Sequence, residues 1–531
     1  MIQLAQILFI LSVLVILHEF GHYITAKMFK VRVEKFYLFM DAGFSLIKKK
    51  IGETEWGIGW LPLGGYVKLA GMIDESMDKE QMKQEPQPWE FRSKPAWQRL
   101  IIMLGGIIVN ILLAWFIFTI MYTTVGKKII STNELQKNGL SFGPVGLNVG
   151  FQNGDKILGI DGEFHEDFKF MTMGVLFGDK VEIDRNGKKI ELLLTDEQKG
   201  EIIKKEGRGF VHARTDLSKI FIDSVGKNNS GLKRFDEIIG INGAKFTYLD
   251  EFEDELKTFK NDSIDLLVKR ENETIVLKTK VDSTGIEGIG KTIFMSYNFN
   301  LENAFVNEIV ENSVAEKNNI QFKDVIKAIN TTPITTNKEL KKTLSENKGK
   351  EITLTVLRKG KDTTIKLGLD QSGKLGINFD DKEEEAKYTV TEKLGFGEAF
   401  PEAVKQSWSL FKYNVQSLKL IARPKTGAYT QVQSPIGIAR RLPDTWNWEF
   451  IWNFTALFSI GLAFMNLLPI PGLDGGHALF TIAEMITGKT LSDKAMGYVQ
   501  TAGMIILLTL MALTFGKDIY FWISETFFHK N

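Results

Sequence analysis

Apolar positions along this chain are gathered into four long runs, two toward each end. Between Arg99 and Lys127 lie 27 uncharged residues, LIIMLGGIIVNILLAWFIFTIMYTTVG, more than the roughly 20 that carry a helix across about 30 Å of hydrocarbon. Uncharged runs of 24 residues between Glu449 and Asp474 and of 22 between Lys494 and Lys517 predict two further crossings. The fourth run, residues 1–26, is also long enough, but it carries His18, Glu19 and His22 deep in its apolar stretch. It has neither the basic leader nor the small-residue cleavage site of a signal peptide, so it reads as a retained helix. The pattern predicts an α-helical polytopic membrane protein with four transmembrane helices.

The long stretch between the second and third helices changes period. GFQNGDKILGIDG, GLKRFDEIIGING and NIQFKDVIKAINT place Asp155, Asp236 and Asp324 in one register, 81 and 88 residues apart. Each copy is followed by alternating runs around a turn, KVEIDRNGKKIELLL, SIDLLVKRENETIVLKT and EITLTVLRKGKDTTIKLGL, which predict β-hairpins. The insert is therefore an inserted tandem of three α+β units. The expected organisation is a first membrane part at 1–127, repeats at 128–200, 201–283 and 284–380, a linker and amphipathic segment at 381–450, and a second membrane part at 451–531. The repeated phrase resembles PDZ domains, most closely in the first copy, and the third copy has lost both glycines. A PDZ groove takes an extended chain as an added strand; the alternative is a set of spacers with closed grooves. The acidic run DDKEEEAK marks the end of the insert. The Trp, Phe, Leu and Lys pattern after residue 393 suits an amphipathic helix that lies on the membrane or packs against the insert.

Basic residues set the orientation. The first 26 residues hold no Lys or Arg and residues 27–99 hold thirteen, so that loop is expected on the cytoplasmic side and the insert on the outer side. The lysines at 48–50 serve as an orientation and headgroup signal. Over all 531 residues the net charge is +1, which gives no electrostatic footprint for nucleic acid. Cysteine is absent, which removes disulfides, thiolate catalysis and cysteine-based zinc sites.

His18-Glu19-Phe20-Gly21-His22 has the H-E-x-x-H form. On a helix, residues four apart share a face, so two imidazoles can hold one metal with Glu19 beside the open position. Ionisable side chains near the middle of a membrane helix cost about 2.5 to 3.5 kcal/mol each and mark functional cavities. A catalytic zinc site takes three protein ligands. Asp474 in NLLPIPGLDGGHALF is the first candidate for the third, where Pro469 and Pro471 interrupt a helix; His477 is the rival.

Taken together, H-E-F-G-H in the first helix, N-x-x-P-x-P-x-L-D-G-G-H in the third and PDZ-like units between them resemble the site-2 protease family of intramembrane zinc metalloproteases, in particular its bacterial regulator-of-sigma-E type. LPLGGYVKLAGM, residues 61–72, is similar to the family's membrane-associated β-hairpin, GGIIVNILLA to its second helix, and Ser434-Pro435-Ile436-Gly437 to a segment before its third helix. Three PDZ-like copies where this type usually has two, and Ile107 where proline is frequent, depart from the pattern. The resemblance implies Zn2+ held by His18, His22 and Asp474, Glu19 as general base, and Asn466 on the substrate backbone. The clamp for an unwound substrate is expected to be an edge strand from Gly64, Gly65, Tyr66 and Val67. It further implies a bacterial inner membrane location with periplasmic PDZ-like domains that gate access. The substrates it implies are single-pass membrane proteins, among them anti-sigma factors or remnant signal peptides. Two other functions compete: a membrane-anchored PDZ scaffold with a vestigial metal site, and a divalent-metal transporter, which would need a continuous polar path.

Overall fold

A computed structural model describes residues 2–62, 64–72, 85–205, 207, 209–259, 261–271, 273–282, 285–289, 295–302, 304–310, 312–381, 383–439, 442–443, 445–489 and 493–528. It divides into two compact units, residues 1–127 with 391–531, and residues 128–390.

Among the described residues the first unit holds four helices with a stretch long and apolar enough to cross a membrane: α1 (Ile2–Met28), α2 (Ala96–Thr124), α4 (Trp448–Leu467) and the Gly497–Lys517 part of α6 (Asp493–Phe528). Lipid offers no hydrophobic drive for helices to associate, so close approach through small residues must supply it. A Cβ on Gly21 of α1 would lie 2.3 Å from the Gly105 carbonyl oxygen of α2, and one on Gly105 2.6 Å from the Gly21 oxygen. These two glycines let the backbones of α1 and α2 touch. The amphipathic segment forms α3 (Phe396–Ile421), whose Ala399 and Ala403 bury against Ala114, Ile117, Phe118 and Tyr122 of α2 and Ala456 and Ile460 of α4. Lys127 beyond α2 pairs with Glu402 at 2.7 Å.

The loop after α1 folds into a four-stranded sheet of β1 (Val33–Leu38), β2 (Met40–Ile51), β3 (Thr54–Leu61) and β4 (Tyr66–Leu69), in the order β2-β3-β1-β4. β3 runs parallel to β1, and β4 antiparallel to it with Tyr66 opposite Tyr37. Residues 61–72 are therefore not a hairpin: the chain leaves β3 on one side of β1 and returns on the other. The β-hairpin is β2–β3, and β4 is an edge strand that begins at Tyr66, so Gly64 and Gly65 precede it instead of belonging to it.

The third uncharged run is also not one helix. α4 stops at Leu467, residues 468–473 turn, and α5 (Asp474–Thr487) starts again. Proline lacks the N–H a helix interior needs, and Pro469 and Pro471 fall in this turn.

Among the described residues the second unit has three separate apolar cores, built from residues 140–210, 217–289 and 301–375. Each contains a strand after the register aspartate (Lys156–Ile160, Glu237–Ile241, Val325–Ile329), then a helix (Phe168–Phe177, Leu249–Leu256, Asn337–Glu346). A hairpin completes each: Lys180–Arg185 with Lys188–Leu193, Ser263–Arg270 with Glu273–Asp282, and Glu351–Arg358 with Lys361–Gly368. The first and third turns carry Asn186-Gly187 and Lys359-Gly360 at positive φ, the geometry that matches strand twist in a two-residue hairpin. The aspartates are 0 % exposed. Asp155 is bonded by Arg185 at 2.7 and 2.8 Å, Asp236 by Arg270 at 2.7 and 2.8 Å, and Asp324 by Arg358 at 2.7 and 2.8 Å. Each also accepts a backbone N–H three residues earlier, from Gln152, Lys233 and Gln321. One buried fork-to-carboxylate lock is thus repeated three times.

Candidate metal centre

The four-residue spacing puts His18 and His22 on one face of α1, and both are buried. Asp474 is the first residue of α5, where the partial positive charge of a helix start favours a carboxylate. The glycines that follow it are needed for the turn: a Cβ on Gly475 would lie 2.4 Å from the Leu468 oxygen, and one on Gly476 2.6 Å from the Ile470 oxygen. The fold brings three side chains from distant segments together. Asp474 Oδ2 stands 3.2 Å from His18 Nε2 and 3.3 Å from His22 Nε2, and the two Nε2 atoms are 3.4 Å apart.

These separations fit an ion. Ligand atoms 2.0–2.1 Å from a tetrahedral zinc stand about 3.3 Å from one another. Asp474 Oδ2 is buried without a hydrogen bond, an expensive state for a carboxylate oxygen unless a cation is its partner. Among the described residues His18, His22 and Asp474 are the group able to hold a metal. His477, the alternative third ligand, lies outside the cluster with its Nε2 3.2 Å from Gln500 Nε2.

The surrounding residues orient these three side chains. His22 Nδ1 is 2.9 Å from the Ile102 carbonyl oxygen. A carbonyl can only accept, so Nδ1 carries the proton and Nε2 presents its lone pair to the cluster. Asn110, fully buried in α2, lies 3.1 Å from His18 Nδ1, and its own backbone oxygen accepts from Ser459 of α4 at 2.7 Å. Gly106 leaves the room the rings occupy, since a Cβ there would sit 2.5 Å from His18 Cε1 and 2.6 Å from His22 Nε2. Ile102, Gly106 and Asn110 share one stripe of α2, four residues apart, and no role was drawn from the sequence for any of them. Asn110 carries the one legible signal: it is the amide in an otherwise apolar run, which in a membrane helix points inward.

Asn466 places its Nδ2 3.2 Å from His18 Nε2, at the cluster itself. Gly65 lies against α1: a Cβ there would be 2.7 Å from Val15 Cγ1 and 3.1 Å from Glu19 Cγ. The edge strand therefore begins beside Glu19. Tyr66 donates to Asp41 Oδ1 at 3.0 Å and stacks on Tyr37, whose hydroxyl donates to Glu55 at 2.8 Å. No geometry beyond the strand pairing marks Val67 for a role.

Comparison with known proteins gives the same direction. The sequence profile of peptidase family M50 matches residues 6–510. The chain is 26% identical over 532 residues to the regulator of sigma-E protease RseP of Escherichia coli K12, covering 97% of this chain and 98% of that one. It is 24% identical over 527 residues to the regulator of sigma E protease of Haemophilus influenzae, with 97% and 98% covered. A relative from Neisseria meningitidis, named as a zinc metalloprotease, is 25% identical over 540 residues, again with 97% and 98% covered.

Proposed function

The chain belongs to peptidase family M50 and is a metalloprotease, and from that premise we propose that it cuts single-pass membrane proteins within or near their membrane segment, using zinc held by His18, His22 and Asp474. The convergence of three ligand atoms to 3.2–3.4 Å, with two of the residues inside a helix long enough to span a bilayer, carries this reading. Zinc in such a site supplies Lewis acidity, lowering the pKa of water to about 7 and polarising a carbonyl.

The chain's own residues do the rest. Glu19, next to His18 in sequence and with its Cγ 3.1 Å from where a Cβ on Gly65 would lie, takes the protons of the attacking water and passes them to the leaving amine, so that a peptide and water become a carboxylate and an ammonium. Asn466 offers an amide beside the ligands to the substrate backbone. In a helical substrate the scissile carbonyl is hydrogen-bonded, so local unwinding must come first, and each backbone group orphaned in lipid costs several kcal/mol. The free edge of β4, entered through Gly64 and Gly65 beside Glu19, takes up the opened segment as an added strand. The three inserted units are PDZ-like domains on the periplasmic side that restrict entry, and anti-sigma factors or remnant signal peptides are the substrates in view.

The test is co-expression with candidate single-pass proteins. Wild type should produce the shortened fragment, and Glu19→Gln should accumulate the precursor while still binding zinc. Equal cleavage by both proteins overturns the reading. A scaffold with a vestigial site would bind no stoichiometric zinc and ignore chelators.

A further inference from the structure

His18 and His22 are not held alike. A backbone carbonyl fixes the ring of His22, whereas the Nδ1 of His18 meets only a side chain, the carboxamide of Asn110 at 3.1 Å. For Nε2 of His18 to offer a lone pair toward His22 Nε2 and Asp474 Oδ2, the ring proton must reside on Nδ1, and it then needs an acceptor. The two ends of a carboxamide differ only in which atom is oxygen, and hydrogen-bond logic decides the orientation. With Nδ2 toward His18 the proton is forced onto Nε2, into the cluster, and Asn110 Oδ1 is left buried and unpaired. Turned over, Oδ1 accepts from Nδ1–H and the imidazole faces the cluster as a ligand. Asn110 is itself fixed: its residue is 0 % exposed, and its backbone oxygen is bound to Ser459 of the neighbouring helix.

We infer that Asn110 is a positioning residue whose side-chain oxygen takes the Nδ1 proton of His18 and so sets the ring and tautomer that the metal requires. The inference rests on the metal reading above and adds to it a residue that touches neither substrate nor ion. The unequal partners also distinguish the two ligands: His22 depends on the backbone and cannot be uncoupled by substitution, whereas His18 can.

The test uses the purified full-length protein, stripped by a chelator and titrated with Zn2+ or Co2+ alone. Wild type, His22→Ala, Asn110→Leu and Asn110→Asp are compared, with Asn110→Ala in reserve should leucine overfill the site and prevent folding. Wild type should bind one equivalent and His22→Ala should not. Asn110→Leu should bind about 10–100-fold more weakly, the usual cost of removing a ligand's outer partner. Asn110→Asp, still an acceptor, should stay within about tenfold of wild type, the lower edge of that same range. In metal-free protein labelled with 15N in the histidine rings, His18 should carry its proton on Nδ1 in wild type and Asn110→Asp and become a mixture of tautomers in Asn110→Leu.

Absence of metal binding in wild type, or unchanged binding in His22→Ala, overturns the metal reading itself. Tight binding by wild type together with equal binding by Asn110→Leu overturns only the role of Asn110. So does loss of binding in both Asn110 variants with the His18 tautomer unchanged, which would make Asn110 a packing residue.

Discussion

A methyl group on Gly106 would intrude on both imidazoles at once, at 2.5 and 2.6 Å. The helices cannot part to admit it, because Gly21 already holds the two backbones in contact at Gly105 and at Gly106 itself. Gly106→Ala is therefore expected to lower zinc affinity by at least the 10–100-fold seen when ligand orientation is lost, measured by competition with a chelator. Gly461→Ala on α4 is the control: its Cβ meets nothing within 4 Å, so activity should hold and stability rise by up to about 1 kcal/mol from helix propensity. The contrast explains what could be seen in the sequence. His18 and His22 announce themselves by spacing within one helix, and Asp474 by a carboxylate at membrane depth. Gly106 and Asn110 act on a partner some ninety residues earlier in the chain, and a glycine in an apolar run has no pattern of its own.

Elements were legible where one period governs them and obscure where a crossing decides. Each of the four apolar runs contains a helix, the third broken off at Leu467 by its prolines, and the alternating runs form hairpins. The sheet after α1 departs from the hairpin expected at residues 61–72 because the pairing of β3 and β4 with β1, one parallel and one antiparallel, depends on a register that no local period encodes. The edge strand hangs on Tyr66. Burial first, then the hydrogen bond to Asp41 and the nearby carboxylates, pushes its phenol well above the usual tyrosine range, so it remains a donor at any working pH. Tyr66→Phe should cost about 1 kcal/mol of local stability and, on the proposed mechanism, raise KM more than it lowers kcat, because the proposed clamp is displaced while His18, His22 and Asp474 stay in place. Tyr66→Pro should abolish cleavage without loss of zinc; a proline variant that still cuts at the wild-type rate removes the clamp.

Across the whole insert the repeat settles what single residues do. The register of Asp155, Asp236 and Asp324 was visible as spacing, but the arginines that lock them lie 30, 34 and 34 residues on, past a helix. Breaking one buried pair typically costs 3–5 kcal/mol, so Asp236→Ala should unfold the second core selectively, seen as new protease cleavage confined to residues 217–289 while zinc binding persists. The second and third cores also meet through charges. Asp223 accepts from Arg234 at 2.8 Å and from Lys341, and Lys338 reaches Glu237 at 2.6 Å. Burial raises the Asp223 pKa, yet the hydrogen bonds from Lys341 and Arg234 outweigh it and hold the carboxyl below its ordinary 3.8. A depressed carboxylate contributes stability that is fully present above the unfolded value and lost as pH falls through the folded one. Hydrogen exchange at this junction should therefore stay slow down to about pH 4, the ordinary aspartate value, and quicken only below it. Lys341→Ala removes one of the hydrogen bonds that depress this carboxyl, so the junction should exchange faster at neutral pH and show a smaller change on acidification.

The insert begins and ends at one place: the Ser131 N–H donates to the Tyr388 oxygen at 2.8 Å, a backbone rung that closes a loop of more than 250 residues. A chain that departs and comes back through the same doorway makes its cargo detachable. Modules can be duplicated, dropped or exchanged beyond that rung without lengthening the path between the histidine helix and the aspartate turn. A third copy is then a change in the luggage and leaves the machinery as it was.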